Sequence, residues 1–213
     1  MLIRPYVPRD RDAVRQICCE TADRGEPLER FFHDREAFAD LVTRYYTDFE
    51  PGSVWVAEHD GTVVGYLTGC LDTGRYRRVL AWRVVPRAVL HAFLRGVFWS
   101  RKTWGAIIAG LRTWRHDGLR RRVALRQYPA HLHLNVQQGF RSQQVGHGLM
   151  ERFLEGARAA GVRGVYAAVS GQNSAACRFF ERMGFTTLGR YPVARPDGGT
   201  GHLTFTVIYG QRL

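Results

Sequence analysis

The sequence is short of the features that mark whole classes of protein. Its four cysteines, Cys18, Cys19, Cys70 and Cys177, form no CxxC pair, and the adjacent Cys18 and Cys19 have poor geometry for a mutual bridge. Neither a zinc site nor a disulfide framework is suggested. No metal is expected, and the expected setting is a reducing cytoplasm. No run approaches the roughly 18 apolar residues of a membrane span. The opening stretch "MLIRPYVPRDRDAVRQI" carries charge throughout and lacks the apolar centre of a signal peptide, so a soluble protein is expected. Internal repeats and low-complexity tracts are also missing. The most telling shortage is local. Residues 73–128 contain one acid, Asp117, against thirteen arginines and one lysine, so this segment carries the whole of the +12 net charge. It also holds four of the five tryptophans, Trp82, Trp99, Trp104 and Trp114. A composition break this sharp marks an insertion within a single domain spanning 1–213.

What is present is enough for a packed core: 213 residues, 45% of them hydrophobic and 12% aromatic. "LIRPYV" reads as a first strand. A helix follows from about Asp10 to Thr21, with Val14 and Ile17 inward. One or two further helices run to Phe49, with Phe38, Leu41, Val42 and Tyr45 at helical spacing. "SVWVAEHDGTVVGYLTGC" is a hairpin about the turn dipeptide Asp60-Gly61. The basic insert reads as helical, with one stripe of Leu90, Phe93, Leu94 and Val97 and another of Trp104, Ile107, Ile108 and Leu111. Pro86 favours a break before the first stripe. Beyond it, "HLHLNV" alternates Leu132, Leu134 and Val136 with His131, His133 and Asn135. Val145, Leu149 and Phe153 then recur as on one helix face until Gly161. A strand "GVYAAVS", a helix "NSAACRFFERMGF" and an antiparallel strand pair close the chain. This order predicts an α/β fold with a central mixed sheet flanked by helices and the basic helical insertion between the third and fourth strands.

The turn "NVQQGFRSQQVGHGLM" joins a strand to a helix. Amides at a helix start have no intrahelical partner and lie at the positive end of the helix dipole, so such a turn can receive an anion. Two blocks in order resemble the GNAT N-acyltransferase family. The family pattern Val-x-x-x-x-Arg/Gln-x-x-Gly-x-Gly/Ala is met by Val136, Arg141, Gln144 and Gly146, with Gln144 in place of the usual glycine. The pattern Asn-x-x-Ala-x-x-x-Tyr-x-x-x-Gly-Phe is met by Asn173, Ala176, Gly184 and Phe185, with Phe180 in place of the tyrosine. The resemblance covers residues 1–72 and 129–213.

It implies that acetyl-CoA is the co-substrate. The amides of Ser142, Gln143, Gln144, Val145, Gly146 and His147 would cradle its diphosphate, with Arg141 adding charge. Leu134, Asn135 and Val136 would offer backbone partners to the pantetheine arm between splayed fourth and fifth strands. Asn173 would bond the arm from the other side, on the helix that carries Ala176 and Phe180. The amine must lose a proton, for which His133 is the first candidate base and His131 the second; a histidine titrating near neutrality suits the task. Acidic candidates are Glu20, Asp23, Glu26 and Glu29. Phe180 has no proton to give the leaving thiolate, which leaves Tyr166, Tyr128, water or unassisted departure. The implied activity is acetyl transfer to a small-molecule or peptide amine by direct attack in a ternary complex. Two alternatives are a CoA-binding protein of this fold without catalysis, and a nucleic-acid or anionic-surface module acting through the insert. A homodimer is left open. The insert is expected to roof the acceptor site, with its four tryptophans partly buried and its arginines at the rim.

Overall fold

The computed structural model describes residues 1–22, 25–30, 34–94, 96, 104, 125–141, 144–193 and 204–213. Strand β1 (Leu2–Pro5) leads into helix α1 (Arg11–Glu20), which buries Val14, Ile17, Cys18 and Cys19. Helix α2 (Arg35–Phe49) starts where the Asp34 carboxylate accepts from the Ala37 amide at 2.8 Å. The hairpin is β2 (Val54–His59) and β3 (Thr62–Cys70), turning at Asp60 (φ 49°) and Gly61 (φ 77°). Two consecutive positive-φ residues match the twist of the strands they join.

Next come α3 (Thr73–Val79), a widened turn over Leu80–Val84 and α4 (Val85–Leu94), in one unbroken helical run. After these lie β4 (Ala130–Val136), α5 (Val145–Ala159), β5 (Gly164–Ser170), α6 (Ser174–Arg182), β6 (Thr186–Val193) and β7 (Thr204–Arg212).

The seven strands form one sheet in the order β1-β2-β3-β4-β5-β7-β6. Every neighbouring pair is antiparallel except β4 and β5. Helices cover both faces. On one, Leu149, Phe153 and Ala157 of α5 pack on Leu67, Leu132 and Val165 of the strands. On the other, Val14 and Ile17 of α1 and Tyr45 and Tyr46 of α2 pack on Val54, Val56 and Tyr66. Gly69 permits the first layer to close: a Cβ there would stand 2.0 Å from the Phe153 ring. Between the layers' edges, Arg4 bonds Asp10 at 2.6 Å and Glu58 at 2.7 Å, tying β1 to the start of α1 and to β2.

Two expectations for the insert need correction. Pro86 does not break the helix. A proline lacks the amide that would close its own turn and crowds the carbonyl four residues back. The chain absorbs this in the widened turn just before it, where the Val85 amide donates to the Leu80 carbonyl five residues back. Trp82 and the described part of the first stripe, Leu90, Phe93 and Leu94, do not turn inward either. Trp82 is 82% exposed, Trp104 51%, Phe93 69% and Leu94 72%. The inward positions of this run belong to Val84, Ala88 and Ala92. Small residues there let the helix lie close against α2, and the bulky ones take the opposite side. Val97 of the first stripe, Trp99, Trp114 and the second stripe apart from Trp104 lie outside the described residues.

Candidate functional site

Strands β4 and β5 are joined only at Ala130↔Val165 and His131↔Tyr166. Past that point β4 continues against β3 alone and β5 against β7 alone. One edge of β4 from Leu132 onward is therefore unpaired within the sheet. Along this parting lies a cleft of about 660 Å³. Leu134, Asn135 and Val136 form one wall; Asn173, Ala176, Phe179, Phe180 and Met183 of the α6 region form the other. Gln144, Val145, Gly146 and His147 close one end, and Thr21, Gly25 and Arg141 border it.

The closed end is the start of α5. Its first intrahelical bond runs from the Gly148 amide to the Gln144 carbonyl, and no side chain caps the helix. The amides of Val145, Gly146 and His147 thus have no intrahelical acceptor and can hold an anion. Gln144 sits at φ 59°, ψ 7°, so the chain does adopt the left-handed conformation that glycine would take without strain. At Gly146 a Cβ would come 3.3 Å from the Phe179 ring and 3.5 Å from Leu134, narrowing the cleft where its two walls approach. Arg141 is held across the mouth: its Nε donates to the Val136 carbonyl at 3.1 Å and its Nη2 to the Gly25 carbonyl at 3.0 Å. Both of these partners are neutral, and no carboxylate among the described residues pairs with it.

Asn173 begins α6, where its side-chain oxygen accepts from the Ala176 amide at 3.0 Å. Its Nδ2 has no partner among the described residues. Asn135 turns the other way, its Nδ2 donating to the buried Tyr66 hydroxyl at 2.7 Å. His147 also lines the cleft. Its ring lies along the helix, 3.0 Å from Glu151 and 3.1 Å from the Met183 sulfur. Phe180 lines the cleft while belonging to the core, its ring stacked on Tyr209 at 5.8 Å and edge-on to Phe185 at 5.2 Å. Every sequence-predicted cofactor residue that is described lines this one cleft. Ser142 and Gln143 lie outside the described residues.

The histidines of β4 sit on the opposite face from the α5 core, beneath α2 and α3. His131 is 5% exposed. The Thr73 hydroxyl donates to the Pro129 carbonyl at 2.7 Å, so at 2.8 Å it accepts from His131 Nδ1–H. His131 Nε2 is then bare and accepts from the Tyr46 hydroxyl at 2.8 Å. Burial first, then His133 and Arg77, push its pKa down to about 3. A ring with both nitrogens engaged and so little affinity for a proton is a structural strut, and its candidacy as a base is withdrawn. His133 differs. It is exposed, standing 5.9 Å from the rings of both Tyr46 and His131. Protein surrounds it on enough sides that partial desolvation holds its pKa below the ordinary 6.5, while solvent still reaches it.

The remaining candidates disperse. Glu20 accepts from Gln16 at 2.7 Å, Glu29 pairs with Arg35 at 3.0 Å, and Glu26 is an exposed surface residue; none lines the cleft. Asp23 is outside the described residues. Neither alternative proton donor lines it. Tyr128 packs against the start of β5, and Tyr166 lies beside His131 with ring centres 5.5 Å apart, its pKa raised by burial. Sequence reasoning missed Tyr46, Thr73, Tyr76 and Phe179. Tyr76 stands edge-on to His131 at 4.7 Å and stacked on Tyr46 at 5.7 Å. The described start of the insert thus covers the inner end of the histidine face.

Sheet order, the single parallel seam and the uncapped helix at its mouth define an α/β protein of acyltransferase architecture. Residues 21–185 match the Acetyltransferase (GNAT) family model, and the chain belongs to that family. Solved structures of the same fold include SsHAT (24% identity, 99% of this chain and 97% of that one, TM-score 0.69). Ribosomal-protein-alanine N-acetyltransferase from Brucella melitensis is similar over all of both chains (18% identity, TM-score 0.60). A GNAT superfamily phosphinothricin acetyltransferase from Sinorhizobium meliloti, in complex with acetyl-CoA, matches all of this chain and 88% of its own (15% identity, TM-score 0.60).

Proposed function

We propose that this protein transfers an acetyl group from acetyl-CoA to an amine, the two substrates meeting where β4 leaves β5. The observation that carries this reading is the parting of the strands just after His131↔Tyr166, continuous with the free amides of Val145, Gly146 and His147. The residues present fit the donor. Its diphosphate would take those amides and the charge of the Arg141 guanidinium. Its amide-bearing arm would take the open edge of β4 at Leu134–Val136 and the Nδ2 of Asn173. When bound, acetyl-CoA supplies an acyl carbon joined to a good leaving group. The chain's share is orientation and one proton. His133, neutral at pH 7 because its pKa is depressed, accepts the amine proton as nitrogen bonds to the acyl carbon and the carbon–sulfur bond breaks. His131, Tyr46 and Thr73 hold β4 and α2 in register behind it. Phe180 donates no proton, so sulfur leaves as thiolate or is protonated by water.

The same Phe180 favours one rival, a protein that binds CoA without turning it over. A screen for thiol release across small amines, peptide N-termini and lysine side chains, with mass spectrometry of the product, separates the two. Thiol release with an acetylated product supports transfer. A thermal shift with acetyl-CoA and no release from any amine class supports the rival. The acceptor is a small-molecule or peptide amine in this reading.

A further inference from the structure

The α3–α4 run is amphipathic in reverse. Its small residues Val84, Ala88 and Ala92 face the protein, while Trp82 (82% exposed), Val89, Leu90, Phe93 (69%) and Leu94 (72%) face out. Elsewhere among the described residues exposed large apolar side chains are scattered, and these need no explanation. Five within thirteen positions of one helical run make a contiguous patch of the kind that marks an interaction surface. Arg78, Arg83 and Arg87 stand exposed on the same run, and none has an acidic partner among the described residues. The sequence has no acid from residue 73 to residue 116.

We propose that this outward face of α4 and the turn before it docks on an anionic lipid surface, independently of the transferase reading. A second copy would bring arginine against arginine, on a chain already at +12, with no counter-charge in the patch. Nucleic acid would satisfy the arginines but offers nothing to Val89, Leu90 and Leu94. A negatively charged membrane answers both halves. Its acyl boundary takes the aliphatic and phenyl groups, its headgroup level suits the Trp82 indole, and its phosphates face the guanidinium groups. No described helix is long and apolar enough to cross a membrane, so the run would lie on the surface.

The test is co-sedimentation of the full chain with sucrose-loaded vesicles of equimolar phosphatidylglycerol and phosphatidylcholine, and with phosphatidylcholine alone. The proposal expects binding to the first and little to the second. Binding should weaken as the Debye length falls from about 10 Å at 0.1 M salt to about 3 Å at 1 M. Phe93→Asp with Leu94→Asp should reduce partitioning at least ten-fold at unchanged melting temperature, because both side chains are already exposed. Arg83→Ala with Arg87→Ala should weaken it by roughly five-fold per arginine. Three results overturn the proposal: equal binding to neutral vesicles, full binding by both variants, or no vesicle binding. Dimerisation or retention on heparin alongside the last would assign the patch to a second copy or to a polyanion.

Discussion

Acidification probes the strut beneath the histidine face. His131 titrates near 6.5 in the unfolded chain and at about 3 in the folded one. Between those values the unfolded state binds a proton that the folded state refuses. Stability is therefore complete above pH 6.5 and falls as pH drops, at about 1.4 kcal/mol per unit. At pH 5 the loss attributable to this ring is about 2 kcal/mol, and it would approach 5 kcal/mol near pH 3, where the folded ring at last protonates. For a chain of this size, about 2 kcal/mol corresponds to a fall of roughly 4–8 °C in melting temperature. Other groups contribute to any acid profile. Asp10, whose pKa the Arg4 bond lowers against the opposing effect of burial, loses its pairing at lower pH, and His133 adds a term of the same sign as His131. The comparison is therefore with His131→Gln, which keeps a polar group for Tyr46 and Thr73 but does not titrate. Urea unfolding of both proteins from pH 7 to pH 5 should give a steeper fall for the parent, by about 2 kcal/mol over the interval, whatever the variant costs at pH 7. Parallel profiles would mean that His131 gains its proton freely in the folded state. The tautomer and burial argument would then be wrong.

The binding and chemistry proposals carry their own outcomes. Gly146→Asp should abolish acetyl-CoA binding in calorimetry while the protein stays folded, since a carboxylate would face the diphosphate and its Cβ would meet Phe179 and Leu134; unchanged affinity refutes the anion site. His133→Ala should keep acetyl-CoA affinity and lose roughly 10²-fold in turnover, and the parent's kcat/KM should have its acid limb below pH 6.5; a limb at pH 7 or above points to another base. Phe180→Tyr should speed turnover if its new hydroxyl reaches the cleft, and should lower the melting temperature without that gain if the hydroxyl is trapped against Tyr209 and Phe185. Gln144→Gly should stabilise the protein by about 0.5–1 kcal/mol, because leaving the left-handed region strain-free outweighs glycine's entropy; a loss of stability would show that the Gln144 side chain holds the turn.

Much of the fold was legible because it depends on neighbours in sequence. Asp60-Gly61 turns its own hairpin, Val145, Leu149 and Phe153 face one layer, and Gly161 at φ 69° follows the last turn of α5. The cleft was legible for a related reason: the strand and the helix start that border its closed end are near neighbours in sequence, so residues 134–136 and 144–147 place one another. The histidine face was not. "HLHLNV" shows which residues share a side but not what covers it. Thr73 and Tyr46 reach His131 across 58 and 85 positions, through the packing of α3 and α2. That long-range contact alone turns one of two like-facing histidines into a strut and leaves the other open.

The reversed helix shows a second limit, and it is physical rather than statistical. Leu90, Phe93 and Leu94 and the row Val84, Ala88 and Ala92 are both apolar stripes at helical spacing, so periodicity allows either to face in. Hydrophobicity alone would choose the larger. Close approach to α2 chooses the smaller, because a helix seated on alanines gains contact along its backbone that bulky side chains would prop open. Choosing the small row leaves the large one without a partner in the described protein. A surface that forgoes so much burial needs another way to remove those groups from water, and this is the reason to look for a docking partner there rather than for a packing defect.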